Sequence, residues 1–111
     1  GNCERSDVPR DRKVPSEGVA VRLGENLRRE RRRAGLSQEE LADRASLHRT
    51  EIGLLEQGKR MARADTLIQL AGALSISPGA FFDGVYWPPD DREGGAFSFG
   101  PPSRGRPTSS A

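Results

Sequence analysis

The sequence predicts an all-α fold: five helices packed into one small domain, with an arm before them and a tail after. Three observations predict it. Apolar residues recur at steps of three and four through the middle of the chain, from Leu23 to Phe82. Capping residues and glycines divide that stretch at short intervals. Both ends are poor in leucine, isoleucine and core alanine. Hydrophobic residues make up 33% of the 111 residues, against roughly 45–50% in an average domain. The core therefore belongs to a unit of about 60 residues, a size that folds alone with modest stability. Residues 1–17 read as a flexible arm, 18–83 as the folded domain and 84–111 as a Gly/Pro-rich tail.

The first helix begins near Val19. Leu23, Leu27, Arg31 and Ala34 recur on one line, and Gly35 ends it. The run from Arg28 to Arg33 carries five arginines on its last turns, where cations complement the helix dipole. Arg28, Arg29, Arg32 and Arg33 read as a solvated face, whereas Arg31 falls in line with the leucines. The second helix opens at Ser37. Ser37 and Glu40 form a capping box, in which the hydroxyl accepts the Glu40 amide and the carboxylate reaches back. Leu41, Ala42 and Ala45 are its buried stripe.

The third helix starts at His48 or Arg49 and runs to Gln57, with Ile52 and Leu55 inward and Gly58 as its stop. The fourth spans about 64–75, with Leu67, Leu70, Ala71 and Leu74 as core. A short fifth covers Pro78 to Phe82, with Ser77 as cap, Pro78 in the first turn, and Phe81 and Phe82 closing the core. Beyond Gly84 two readings stand for the aromatic patches Val85-Tyr86-Trp87 and Ala96-Phe97-Ser98-Phe99: a hairpin over residues 85–99, or disorder. Tyr86, Trp87, Phe97 and Phe99 either bind a protein partner or fold back on the helices.

The net charge is +2, unevenly spread: zero over residues 1–17, +3 over 18–60 and −1 beyond. The excess cations in the folded part suit an anionic partner such as nucleic acid. Cys3 is the sole cysteine and His48 the sole histidine, which excludes an internal disulfide and the common zinc patterns. No Ser/His/acid set or phosphate-cradling glycine loop is present, so the chain reads as a non-enzyme without cofactor or metal. No apolar run approaches the ~18 residues of a membrane span. A cytoplasmic, nucleoid-associated protein is the expectation.

Between the second and third helices lie only Ser46, Leu47 and His48. Such a turn makes consecutive helices cross steeply and leaves one face of the second outward, the helix-turn-helix geometry. A helix fits the major groove of double-stranded DNA, and residues at its N-terminal end touch base edges. Arg49 and Thr50 occupy that end, with Gly53 and Leu54 further along the same face.

Residues 19–83 resemble the phage repressor/Cro-type (XRE) helix-turn-helix family. The resemblance is carried by "GLSQEELA", by the "I..LE.GKR" run and by the final "L.ISP..FF". It implies a repressor-like DNA-binding domain acting as a bacterial transcriptional regulator, dimeric on a two-fold operator. It places Arg49, Thr50, Gly53 and Leu54 at base-reading positions. It places Gln38, Lys59 and Arg60 on phosphates, with Gln38 also propping the reading helix. Arg44 joins as a further phosphate contact, and His48 reads either as another or as a surface residue with a weak cap. It pairs Arg31 with Glu56 across the first and third helices, which accounts for an arginine on an apolar line. Ser46 stands where the family usually has glycine, so a left-handed serine is expected, at roughly 1–2 kcal/mol. His48 replaces the usual Ser or Thr cap, and Ala62 the usual Pro. The family also includes antitoxins and subunits of larger regulators, so an interaction module is the alternative reading.

Overall fold

The computed structural model describes residues 16–88 and 96–101. The arm, residues 1–15, the segment 89–95 and the end of the tail from 102 lie outside the described residues. Among the described residues, four α-helices, a 3-10 turn and a two-stranded sheet follow in order. They are α1 (Glu17–Arg33), α2 (Gln38–Ala45), α3 (Arg49–Glu56), α4 (Ala64–Leu74), the 3-10 turn (Pro78–Phe82), β1 (Val85–Tyr86) and β2 (Ser98–Phe99).

α1 is the spine. Val19, Ala20, Leu23, Gly24, Asn26, Leu27 and Glu30 form its buried stripe. The helix begins at Glu17, one residue inside the stretch assigned to the arm. Ala34, expected on the stripe, caps the helix and is exposed. By its turn the chain is already leaving the core toward Gly35, whose φ is +73°. α2 carries both bonds of the capping box: Glu40 N donates to Ser37 Oγ at 3.0 Å, and Ser37 N donates to Glu40 Oε1 at 2.8 Å. α4 crosses beneath α2, and Gln69 Nε2 donates at 2.9 Å to the Ala45 carbonyl, one of the orphan acceptors at the end of α2. Leu41, Ile52, Leu70 and Phe81 are sealed from solvent at the centre.

The fifth helical element is a 3-10 turn and not a fifth α-helix. Ala80 N bonds to Ser77 O at 3.0 Å, an i to i+3 closure, and five residues leave no room for an α-helical ladder. Its tight winding sends Phe81 inward and leaves Phe82 45% exposed, so only one of the two phenylalanines closes the core.

The aromatic tail forms a hairpin. β1 pairs antiparallel with β2, Val85 opposite Phe99 and Tyr86 opposite Ser98. Trp87 and Phe97 meet edge to face at 5.1 Å. α1 straps the hairpin down. Arg22 Nη1 donates to Gly100 O at 2.7 Å, and its guanidinium lies 5.7 Å from the Phe99 ring centre. Asn26, buried at the next turn, donates to the carbonyls of Phe81 at 2.8 Å and Asp83 at 3.0 Å. The aromatics thus fold back in part: Phe97 packs on the core, while Tyr86 and Trp87 remain half exposed.

Arg22→Ala is expected to release the hairpin without unfolding the helices, because the strap is its main polar tie to α1. Hydrogen bonds from a charged donor contribute about 1.5–3 kcal/mol. Trp87 is the only tryptophan, so its fluorescence should melt below the helical circular dichroism in the variant and together with it in the parent.

Candidate nucleic-acid interface

The turn between α2 and α3 is built as its residues dictate. Ser46 takes the left-handed conformation, φ +60° and ψ +42°, and closes α2. Leu47 N then reaches back to Ala42 O at 2.9 Å. His48 is extended and caps α3 through its backbone: Glu51 N and Ile52 N bond to its carbonyl at 2.9 and 3.2 Å. Its side chain makes no capping bond. Ile52 and Leu55 on α3 sit in one cluster with Leu41, Ala42 and Ala45 on α2. The opposite face of α3 is thereby held outward.

That face is a shallow groove of about 210 Å³ lined by Gln38, Arg49, Thr50, Gly53, Leu54 and Gln57. Arg49 and Thr50 are exposed at its N-terminal end. Gly53 leaves its floor bare: a Cβ there would meet only Gln38 Oε1, at 4.0 Å. Gln57 was not among the sequence-predicted residues. Its seven-residue step from Thr50 was the available signal, and its place at the helix end obscured it. Gly58, with φ +73°, terminates α3, and Lys59 N bonds back to Leu54 O at 3.0 Å. Lys59 and Arg60 follow as exposed cations, Arg60 Nη1 lying 2.8 Å from Glu51 Oε1.

Four of the predicted phosphate contacts lie outside this lining: Lys59, Arg60, His48 and Arg44. His48 lines a separate groove with Glu39, Glu40, Asp43 and Arg49. Arg44 is exposed near the end of α2, outside the lining of either groove.

Beneath the face lies an ionic hub. The Glu56 side chain has no solvent exposure. Arg31 grips it with both ends of its fork, Nε to Oε2 at 2.6 Å and Nη2 to Oε1 at 3.0 Å. Gln38 Nε2 donates to Oε1 at 3.0 Å and Arg28 Nε at 3.3 Å. Arg31 also donates to Leu36 O at 2.8 Å. The hub therefore ties α1, the start of α2 and the end of α3 to one carboxylate. Burial pushes the Glu56 carboxyl up, but the hydrogen bonds from Arg31, Gln38 and Arg28 outweigh it and hold the group below its ordinary 4.5. The hydrogen bond to Glu56 holds the Arg31 guanidinium above its ordinary value, against the opposing effect of burial.

Among the described residues, no three His, Cys, Asp or Glu side chains are grouped to hold a metal ion. No helix among them is long and apolar enough to cross a membrane.

Comparison with known proteins agrees with this geometry. The sequence profile of the family described as "Helix-turn-helix" matches residues 27–81. The chain is 49% identical over 55 residues to the control protein C.SmaI of Serratia marcescens, a match covering 50% of this chain and 66% of that protein. It is 40% identical over 55 residues to the uncharacterized HTH-type transcriptional regulator y4dJ of Sinorhizobium fredii, covering 50% of this chain and 71% of that one. The crystal structure of the restriction-modification controller protein C.AhdI from Aeromonas hydrophila superimposes with a TM-score of 0.56 at 40% identity, over 57% of this chain and 96% of that one. The clp gene regulator ClgR from C. glutamicum superimposes with a TM-score of 0.56 at 25% identity, over 58% of this chain and 83% of that one.

Proposed function

The chain belongs to the helix-turn-helix family of phage-repressor (XRE) type, and from that premise we propose that it is a DNA-binding transcriptional regulator whose α3 reads bases in the major groove. The observation that carries the reading is the outward face of α3, with Arg49 and Thr50 exposed at its N-terminal end beside Gln38. Its inner face is fully committed to the core. Recognition, not catalysis, is the role its relatives support at the level of the family.

Arg49 pairs with guanine O6 and N7 through its planar fork, and Thr50 contacts the next base. Gly53 and the apolar Leu54 let the groove edge approach closely, with Leu54 suited to a thymine methyl. Gln38, Lys59, Arg60 and, on the outer flanks, Arg44 and His48 fix the register on phosphates. A single reading helix covers few base pairs, so the protein acts as a homodimer on a two-fold operator with half-sites about 34–36 Å apart. Such a regulator works in the cytoplasm, where bacterial DNA lies. The resemblance to the control protein C.SmaI and to the restriction-modification controller protein C.AhdI favours a controller of that kind. The half-exposed Tyr86 and Trp87 favour a subordinate role in contacting a protein partner.

Arg49→Ala is expected to remove about 1–3 kcal/mol of discrimination between guanine and other bases at one position of each half-site. Competition between duplexes that differ at that base pair measures it. The reading fails if the variant discriminates as the parent does. The DNA upstream of the protein's own gene is the first duplex to try.

A further inference from the structure

From sequence Arg28, Arg29, Arg32 and Arg33 read as a solvated face. In the fold Arg32 and Arg33 are exposed, and Arg28 and Arg29 are partly buried. Glu25, the pair Arg28 and Arg29, and the pair Arg32 and Arg33 lie on successive turns, and with Glu56 they line a groove of about 520 Å³. Most charges in it are matched. Arg29 and Arg33 both pair with the buried Glu30, at 3.1 and 3.2 Å. Arg29 also reaches Asp83 at 3.5 Å, and Glu25 lies 3.5 Å from Arg22. Among the described residues, two cations are left in surplus. Glu56 is already gripped by Arg31 at both oxygens, so Arg28, at 3.3 Å, is a second cation on one carboxylate. Arg32 is exposed and forms no ion pair among the described residues. Arg28 and Arg32 stand one helical turn apart on the same face.

The groove adjoins the reading face. Arg28 Nε and Gln38 Nε2 converge on the same oxygen, Glu56 Oε1. Gln38 is a wall of the groove that contains Arg49 and Thr50, and Gln57, directly after Glu56, is its far end. A duplex seated against α3 brings a sugar-phosphate strand past this flank. Surplus guanidinium groups, with forks that match phosphate oxygens, are what that strand would meet.

We infer that Arg28 and Arg32 form an additional phosphate-binding wall on α1, which clamps the DNA backbone beside the major groove and is separate from the phosphate contacts of α2 and the loop after α3. The inference rests on the reading of α3 as the DNA-reading helix. The wall supplies affinity and salt dependence and carries no base information.

The test is binding by the full chain to two duplexes, one with its preferred site and one of random sequence, across about 50–200 mM salt. Arg32→Gln should lower the slope of log affinity against log salt by about 0.9, and Arg28→Gln with Arg32→Gln by about 1.8. The loss should be equal on both duplexes, with base preference intact. Because Arg32 has no ion-pair partner among the described residues, its variant should melt with the parent, and Arg32→Glu should weaken binding further. An unchanged slope in all three variants, while Arg49→Ala still loses its guanine preference, overturns the wall and leaves the reading helix standing. A changed base preference in Arg32→Gln also overturns it, because a backbone clamp cannot read sequence. Absence of any DNA binding by the parent removes the reading of α3 and this inference together.

Discussion

Glu56→Ala loses about 3–5 kcal/mol of folding stability, the cost of stranding a buried charge whose partner is removed. Arg31 is only 11% exposed and spends most of its fork on this one carboxylate. Gln38 and Arg28 lose an acceptor at the same time. For a domain of this size that is a large part of the total, roughly 0.05–0.15 kcal/mol per residue, and the variant should be largely unfolded at physiological temperature. Urea denaturation followed by circular dichroism measures the loss. The double change Arg31→Met with Glu56→Leu should recover much of it, since an apolar pair does not leave an unmatched charge. A milder result for Glu56→Ala, below about 1 kcal/mol, would place the pair among exposed bridges of little consequence.

The same group sets an acid limb. A carboxylate whose folded pKa lies below its unfolded value stabilises the fold fully above the unfolded value, near 4.5. That contribution drains away as pH falls from there through the folded pKa. Stability of the parent should therefore decline below about pH 4.5 with a component that Glu56→Gln lacks.

Gly24→Ala is the second large effect. α1 and α3 touch at this glycine. A Cβ on Gly24 would sit 2.8 Å from the Glu56 carbonyl oxygen and closer still to that of Leu55. Both obstacles are backbone and cannot swing aside. The helices must separate, at a cost of about 3 kcal/mol, the upper end for overpacked sites. Separation also displaces the end of α3, so DNA affinity should fall along with the melting temperature. By contrast Gly72→Ala on α4, where a Cβ meets nothing, should stabilise slightly through helix propensity.

What the sequence made legible follows from locality. The Ser37–Glu40 capping box and the stop at Gly58 are decided within four residues, and the structure has both, as it has the left-handed Ser46 that the family resemblance implied. The position of Arg31 on an apolar line announced a buried arginine, although naming Glu56 as its partner took the resemblance to a family. Long-range polar ties were not legible. Asn26 sits among charged neighbours in sequence, and nothing near it indicates bonds to carbonyls 55 and 57 residues away. Arg22 gave no sign of strapping a hairpin 78 residues on. The fifth element was read as a helix because Ser77 and Pro78 suit any helical start, and those signals do not distinguish a 3-10 turn from an α-helix. Phe82 was placed in the core by its apolarity, where the tighter winding turned it out.

At the candidate interface, Arg49, Thr50, Gly53 and Leu54 were found by helical spacing alone, and the structure gathers them with Gln38 in one groove. Gln57 was missed because it is a capping residue by position and a face residue by angle. Arg28, Arg29, Arg32 and Arg33 read as a solvated face, and a charge run alone does not reveal which of its members are neutralised. That balance depends on Glu30 and Glu56, one of them 25 residues or more away along the chain.

The central claim is that α3 reads DNA sequence through its N-terminal residues. Selection of duplexes from a random pool by the parent and by Arg49→Ala, with the bound sites sequenced, tests it most directly. The account predicts a two-fold motif for the parent, with a guanine preference in each half that disappears in the variant. Recovery of no motif, with equal weak and salt-sensitive binding by both proteins, would contradict it.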